Sequence, residues 1–223
     1  MASMDSGWVA RHLSPGERLG ELLFGLIMTL TFTLSVGVLF GEGEGADRDL
    51  LIATIGCNIA WGIIDGALLI LGRAFDRGRA ARLGRAIRAS ASEQAAVAAV
   101  ASELDETIEP ITSPGARESL YRDVVSRVRG AAPRRAGIHG EDWIAALAVF
   151  FLVFFASLPA ALPFLFIDDS WIALRVSNAL LIGLLFFIGF RWAGYTNANP
   201  WRAGILLTIV GILLVVAAIA LGG

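Results

Sequence analysis

Hydrophobic residues are gathered into five long runs along this chain, at roughly 19–40, 50–72, 143–166, 171–192 and 201–221. A helix needs about 20 mostly apolar residues to cross the hydrocarbon core of a bilayer, and each run reaches that length. The pattern therefore predicts an all-α, polytopic membrane protein with five transmembrane helices.

Local signals mark where several of these helices begin and end. Ser14-Pro15-Gly16-Glu17 has the form of a capping box with proline at the first helical position. Asp169 and Asn199 are suited to cap the fourth and fifth runs. Pro159 and Pro163 lie near the far end of the third run, where they predict a kink or break.

The segment from about 73 to 140 is polar but patterned, which predicts a helical insert rather than disorder. The chain thus divides into 1–72 with the first two spans, the insert 73–140, and 141–223 with the last three spans. We expect three helices in the insert, the first of which continues from the second span through Arg88.

The second insert helix is predicted to start at the capping box Ser90-x-x-Glu93 and to run to about Ile108. The third is predicted to start near Ser113-Pro114. It carries Leu120, Val124 and Val128 at helical spacing, which predicts that this face is buried.

Arginine placement predicts the orientation in the membrane, because basic residues favour cytosolic loops. The side that holds the N-terminus, the insert and the 4–5 turn is rich in arginine, whereas the opposite side is acidic. The N-terminus and the insert are therefore predicted to be cytosolic and the C-terminus to lie outside. The acidic side carries Glu42, Glu44, Asp47, Asp49, Asp168 and Asp169.

Composition agrees with this picture, since 56% of the residues are hydrophobic. The basic residues are all arginine, a bias that suits a GC-rich bacterial genome and points to the bacterial inner membrane. The single cysteine, Cys57, excludes an intramolecular disulfide. The first apolar run is too long for a signal peptide, so we expect it to be retained.

Asp65 is the clearest candidate for chemistry, because an ionisable group inside a bilayer is costly and usually functional. It lies about 10 Å from the cytosolic end of the second span, at 1.5 Å per residue. Asn58 and Trp61 share its helical face, and Gly62 and Gly66 form a GxxxG that would let another backbone approach closely. The structural alternative is that Asp65 and Asn58 only make interhelical hydrogen bonds.

The first span offers a matching stripe with Glu21, Gly25 and Met28. Two carboxylates, an amide and one thioether form an oxygen-rich set that suits Fe²⁺ or Mn²⁺ better than a thiolate-preferring ion. A methionine on an apolar helix is, however, more often a packing residue. Glu21 could equally be a helix-start carboxylate that faces headgroups.

In the insert, Glu103, Glu106 and Glu109 follow one another at i, i+3 spacing and predict a weak site for a divalent cation. A solvated charged face is the commoner outcome of such a run. The arginine-rich stretch 73–88 is expected to meet anionic lipid headgroups of the bilayer rather than nucleic acid. No phosphate-binding loop, HExxH or nucleophile elbow occurs, so we expect neither an enzyme nor a tightly bound cofactor.

With these features, the chain resembles the vacuolar iron transporter family, as a divergent bacterial member. Gly20-Glu21 stands near that family's first motif, and Asn58 with Asp65-Gly66 stands near its second. The family's Asn-Asp-Gly string and its second-span methionine are absent here. The resemblance implies a homodimer that exchanges divalent metal for protons.

The sequence hypothesis is therefore a proton-coupled exporter of Fe²⁺ or Mn²⁺. In it, Glu21 and the insert carboxylates recruit the ion, and Met28, Asn58 and Asp65 bind it at depth. Asp65 is the proton-coupled group. The alternative is a membrane scaffold or assembly protein whose insert docks a cytosolic partner.

Overall fold

The computed structural model describes residues 7–39, 46–133 and 136–220, and within them the chain is helical with no β-strand. The acidic residues Glu42 and Glu44 and the arginines at 134 and 135 lie outside the described residues. The described α-helices are α1 Trp8–His12, α2 Pro15–Leu39, α3 Ala46–Ala89, α4 Glu93–Ile108, α5 Pro114–Gly130, α6 Gly140–Ala161, α7 Ser170–Trp192 and α8 Pro200–Ala220.

The predicted caps of the long apolar helices are confirmed. The backbone N–H of Ser14 donates to Glu17 Oε2 at 2.6 Å, and the backbone N–H of Glu17 donates to Ser14 Oγ at 3.3 Å. Asp169 Oδ1 accepts from the N–H of Ile172 at 2.9 Å, and Asn199 Oδ1 accepts from the N–H of Trp201 at 3.0 Å. Each cap satisfies an N–H that the helix itself leaves without a partner.

The break predicted near the end of the third run is also confirmed. Pro159 lies inside the last turn of α6, which ends at Ala161. A short 3-10 helix follows at Pro163–Leu165 before the chain enters α7. Because proline has no N–H to donate, the α-helix cannot continue through both positions.

Within the described residues, three helical segments are long and apolar enough to cross a membrane: Leu51–Ala89, Gly140–Ala161 and Ser170–Tyr195. Pro200–Leu213 forms a shorter apolar helix. The all-helical class is therefore confirmed, with three segments that could span a membrane, whereas the count of five spans stays a prediction.

The chain divides into two compact units. The bundle unit comprises Met1–Leu69 and Gly140–Gly223, and the insert unit comprises Ile70–His139. In the bundle unit, leucines of α2 pack against leucines of α7 and small residues of α6. This core contains Leu26, Leu30, Ala156, Ala160, Leu181 and Leu185.

The insert unit has its own small core, formed by Ile87, Ala96, Val100, Tyr121 and Val125. The predicted buried face of the third insert helix is confirmed in part, because Val124 and Val128 are partly buried and pack against this core. Leu120 is 40% exposed, whereas Tyr121 and Val125 are each 3% exposed. The prediction is therefore wrong at Leu120, and it missed Tyr121, whose ring packs inward while its hydroxyl reaches Asp105.

The start of the second insert helix is also corrected, since Ser90 does not cap it. Ser92 Oγ accepts from the N–H of Ala95 at 3.1 Å and is the residue before the first helical position, Glu93. Ser90 instead donates its hydroxyl to the carbonyl of Ala86 at 2.8 Å, at the end of α3. The predicted cap at Ser113 is confirmed, with Ser113 Oγ accepting from the N–H of Ala116.

Candidate functional site

The polar stripe predicted on the second span faces the interior of the bundle unit. Thr54 and Asn58 are 2% and 1% exposed, and Trp61 and Asp65 are partly buried. One turn further along, Leu68 is 59% exposed. The stripe is therefore enclosed around Asn58 and opens near Asp65.

Asn58 joins α3 to α2 by a buried hydrogen bond. Its Nδ2 donates to Thr29 Oγ1 at 2.6 Å, and the Thr29 hydroxyl donates in turn to the carbonyl of Gly25 at 2.7 Å. These bonds use the amide N–H of Asn58 and leave its Oδ1 buried without a hydrogen-bond partner. A buried acceptor oxygen that has no hydrogen-bond partner is available to a cation.

Asp65 presents a second buried oxygen of the same kind, because its Oδ2 has no hydrogen-bond partner. The predicted GxxxG explains how α6 comes close to this part of α3. A Cβ built on Gly66 would lie 3.0 Å from the carbonyl oxygen of Ala146, and one built on Gly62 would lie 3.1 Å from the Phe150 ring. The close backbone approach that the glycines predicted is therefore confirmed, and α6 is the helix that makes it.

Glu21 is brought to the same region from α2. It is partly buried in the second turn of that helix, within range of the charge on Asp65. Met28 is partly buried on α2, and its neighbour Thr29 makes the interhelical bond of this region.

Two of the three acidic side chains predicted to bind metal in the insert pair with arginine. Glu103 Oε1 lies 2.8 Å from Arg79 Nε, and Glu109 Oε1 lies 3.0 Å from Arg117 Nη1. Glu106 is exposed. Among the described residues, no group of three or more His, Cys, Asp or Glu side chains could hold a metal ion. Binding at the insert or in the bundle therefore stays a prediction, and in the bundle it would depend on amide oxygens as well as carboxylates.

Sequence reasoning missed a second buried amide, Asn178 of α7, which is 6% exposed. The hydroxyl of Thr33 on α2 lies 3.1 Å from Asn178 Oδ1, and Asn178 Nδ2 has no partner. An amide in the middle of the fourth apolar run was a visible signal for this site. That it would meet α2 could not be read from local sequence.

A comparison with models of known protein families matches this chain to the family described as the VIT family. The match covers residues 77–223, which include most of the insert unit and the helices α6, α7 and α8. A comparison with curated proteins gave no match.

Proposed function

This chain belongs to the VIT family, and on that premise we propose that it is a secondary transporter that exports Fe²⁺ or Mn²⁺ from the cytosol in exchange for protons. Family membership by itself indicates metal-ion transport across a membrane. The choice of ion, the direction and the coupling to protons are our proposal.

The observation that carries the proposal is the pair of buried oxygens that lack partners, Asn58 Oδ1 and Asp65 Oδ2. Buried polar groups in proteins are nearly always hydrogen-bonded, so an unpartnered acceptor is unusual. A carboxylate removed from water needs a proton or a cation beside it. Asp65 would bind a proton and the metal ion in turn. Glu21 would receive the ion from the cytosolic side.

The proposal includes an arrangement in the membrane. Five helices would span the bacterial inner membrane, with the N-terminus in the cytosol and the C-terminus outside, and two copies would form a homodimer. The arginine-rich side of the chain supports this orientation. Oxygen ligands with at most one thioether support Fe²⁺ or Mn²⁺ as the ion.

A direct test is metal uptake into proteoliposomes with an imposed pH gradient. The comparison is between wild type, Asp65→Asn and Asp168→Asn, where Asp168 is an exposed acid that takes the same change. We expect Asp65→Asn to reduce the initial rate of Mn²⁺ uptake by at least about tenfold, the effect of ~1.4 kcal/mol. Asp168→Asn should transport as wild type does. Equal flux in all three proteins would exclude Asp65 as the coupling residue.

The alternative of a membrane scaffold is supported by apolar side chains on the surface of the insert unit. Ile111 and Leu120 are 75% and 40% exposed. If the protein is a scaffold, Ile111→Ser with Leu120→Ser should abolish its function and Asp65→Asn should leave it intact. The transport proposal expects the reverse.

A further inference from the structure

An aromatic pair joins α2 to α3 at a level between Asn58 and Asp65. The rings of Phe24 and Trp61 meet edge to face, with their centroids 5.6 Å apart and their planes at 71°. Trp61 lies three positions after Asn58 and four before Asp65, or about 4.5 Å and about 6 Å along α3 at 1.5 Å per residue. The pair therefore lies between the buried amide and the carboxyl group.

The polar positions of α2 are interrupted at the same level. Phe24 lies three positions after Glu21 and five before Thr29, the threonine that accepts from Asn58. No side chain between Glu21 and Thr29 carries an oxygen, and the same is true of the residues between Asn58 and Asp65 on α3. The side-chain oxygens of the two helices therefore form a carboxyl level, with Glu21 and Asp65, and an amide level, with Thr29 and Asn58.

The third helix at this level, α6, is apolar as well. Its residues 144–156 include no polar side chain. Phe24 packs against the cluster that contains Val149 of α6. On α3, a Cβ built on Gly62 would lie 3.1 Å from the Phe150 ring, so α6 also packs closely beside Trp61. An ion that moves from the carboxyl level to the amide level therefore meets apolar side chains from three helices.

We propose that Phe24 and Trp61 form the barrier of the transport path, which prevents water and protons at the carboxyl level from reaching the amide level. The two rings separate when the metal ion passes. This inference rests on the proposed transport function. A hydrophobic constriction excludes water and blocks ions, because its apolar walls offer no replacement for the water that an ion must lose. An exchanger needs such a barrier, since a continuous water path would let protons cross without metal.

The first test measures proton entry into proteoliposomes that contain the full chain and a trapped pH-sensitive dye, under an imposed pH gradient and without metal. Trp61→Leu and Phe24→Leu keep an apolar side chain but leave open the space that a ring fills. We expect each variant to raise the rate of proton entry by about tenfold over wild type, the effect of about 1.4 kcal/mol on the barrier. Trp61→Phe keeps a ring at this level and should admit protons more slowly than Trp61→Leu.

The second test compares the initial rate of Mn²⁺ uptake with and without the pH gradient. The gradient should increase this rate in wild type. In Trp61→Leu and Phe24→Leu the ratio of the two rates should fall toward one, because protons then cross without metal. Trp143→Leu and Phe187→Leu are the matched controls, since these side chains are 63% and 56% exposed and take the same changes away from the pair. Both controls should match wild type in both tests.

Wild-type rates of proton entry in both Trp61→Leu and Phe24→Leu would overturn the inference, and a loss of thermal stability without proton entry would show that the pair only joins two helices. Proton entry that rises equally in the exposed controls would overturn it as well. If Trp61→Leu does not fold, Phe24→Leu decides. A wild type that takes up Mn²⁺ while these variants match it leaves the proposed function standing, whereas no Mn²⁺ flux in wild type rejects both.

Discussion

Asn58 Nδ2 donates to Thr29 Oγ1 at 2.6 Å, and this buried bond joins two helices of the bundle unit. Each of the two side chains is 1% exposed. The bond also determines which atom of the amide is left for an ion, because it consumes the N–H side and leaves Oδ1. Thr29 is therefore a positioning residue for the proposed cation site.

Thr29→Val should reduce stability and transport together. The change keeps the shape of the side chain but removes the acceptor of the Asn58 amide, and an unsatisfied buried donor costs about 1–3 kcal/mol. Thermal unfolding of the purified protein in detergent measures this loss. Thr208→Val is the control, since its hydroxyl bonds to the carbonyl of Gly204 in its own helix at 2.9 Å. Equal losses in the two variants would contradict a special role for the Asn58 contact.

Gly25→Ala should be destabilising, because α2 meets α6 at this glycine. A Cβ built there would lie 2.8 Å from the Ala156 Cβ and 3.0 Å from the carbonyl oxygen of Val153. We expect a loss of about 1–3 kcal/mol from this overpacking. Gly20→Ala is the matched control in the same helix, where a Cβ would meet no atom within 4 Å. Gly20→Ala should be neutral or stabilising by up to about 1 kcal/mol. Thermal unfolding distinguishes this result from the loss of stability expected in Gly25→Ala.

The start of a helix could be predicted from sequence where a bond between neighbouring residues determines it. Asp169, Asn199 and Ser113 cap helices through bonds to residues two or three positions away, and a local pattern is enough to identify such bonds. The predicted cap at Ser90 was wrong, because α3 extends to Ala89 and the Ser90 hydroxyl bonds back to the carbonyl of Ala86. Ser92 caps α4 instead.

The candidate site was predictable only in part. Asp65 and Asn58 could be identified because polar residues in an apolar run are conspicuous. Their partners on other helices depend on how α2 is rotated against its neighbours, which the periodicity of one helix does not determine. Asn178 was just as conspicuous in the fourth apolar run and was overlooked, whereas its contact with Thr33 depends on the packing of α2 and α7.

Tyr121 should make the insert unit sensitive to alkaline pH. Burial raises the pKa of its phenol, and the 2.7 Å hydrogen bond that it donates to Asp105 raises the pKa further. The unfolded phenol ionises near about pH 10, whereas the folded one keeps its proton. The contribution of Tyr121 to stability is therefore full below about pH 10 and falls as pH rises toward the folded pKa.

Hydrogen exchange of the amides of α4 and α5 in the full-length protein measures this effect. Wild type should be better protected than Tyr121→Phe at neutral pH, because the variant loses the hydrogen bond to Asp105. The difference should shrink above about pH 10. A difference that stays constant across that range would show that the phenol proton is not involved.

Arginine should compete with metal for the acidic face of the insert. Arg79 Nε lies 2.8 Å from Glu103 Oε1, so a cation can bind Glu103 only by displacing the guanidinium. Arg79→Gln should therefore increase the affinity of the insert for Mn²⁺ several-fold from a starting Kd of about 10⁻⁴–10⁻³ M, the range of weak carboxylate sites. Electron paramagnetic resonance of free Mn²⁺ during titration of the full-length protein measures the change.

Arg82→Gln is the control, because Arg82 is exposed on the same helix and its loss changes the net charge equally. If both variants gain affinity to the same extent, long-range charge accounts for it and Glu103 is not a ligand. If only Arg79→Gln gains, the carboxylate that Arg79 occupies is one that the metal can use.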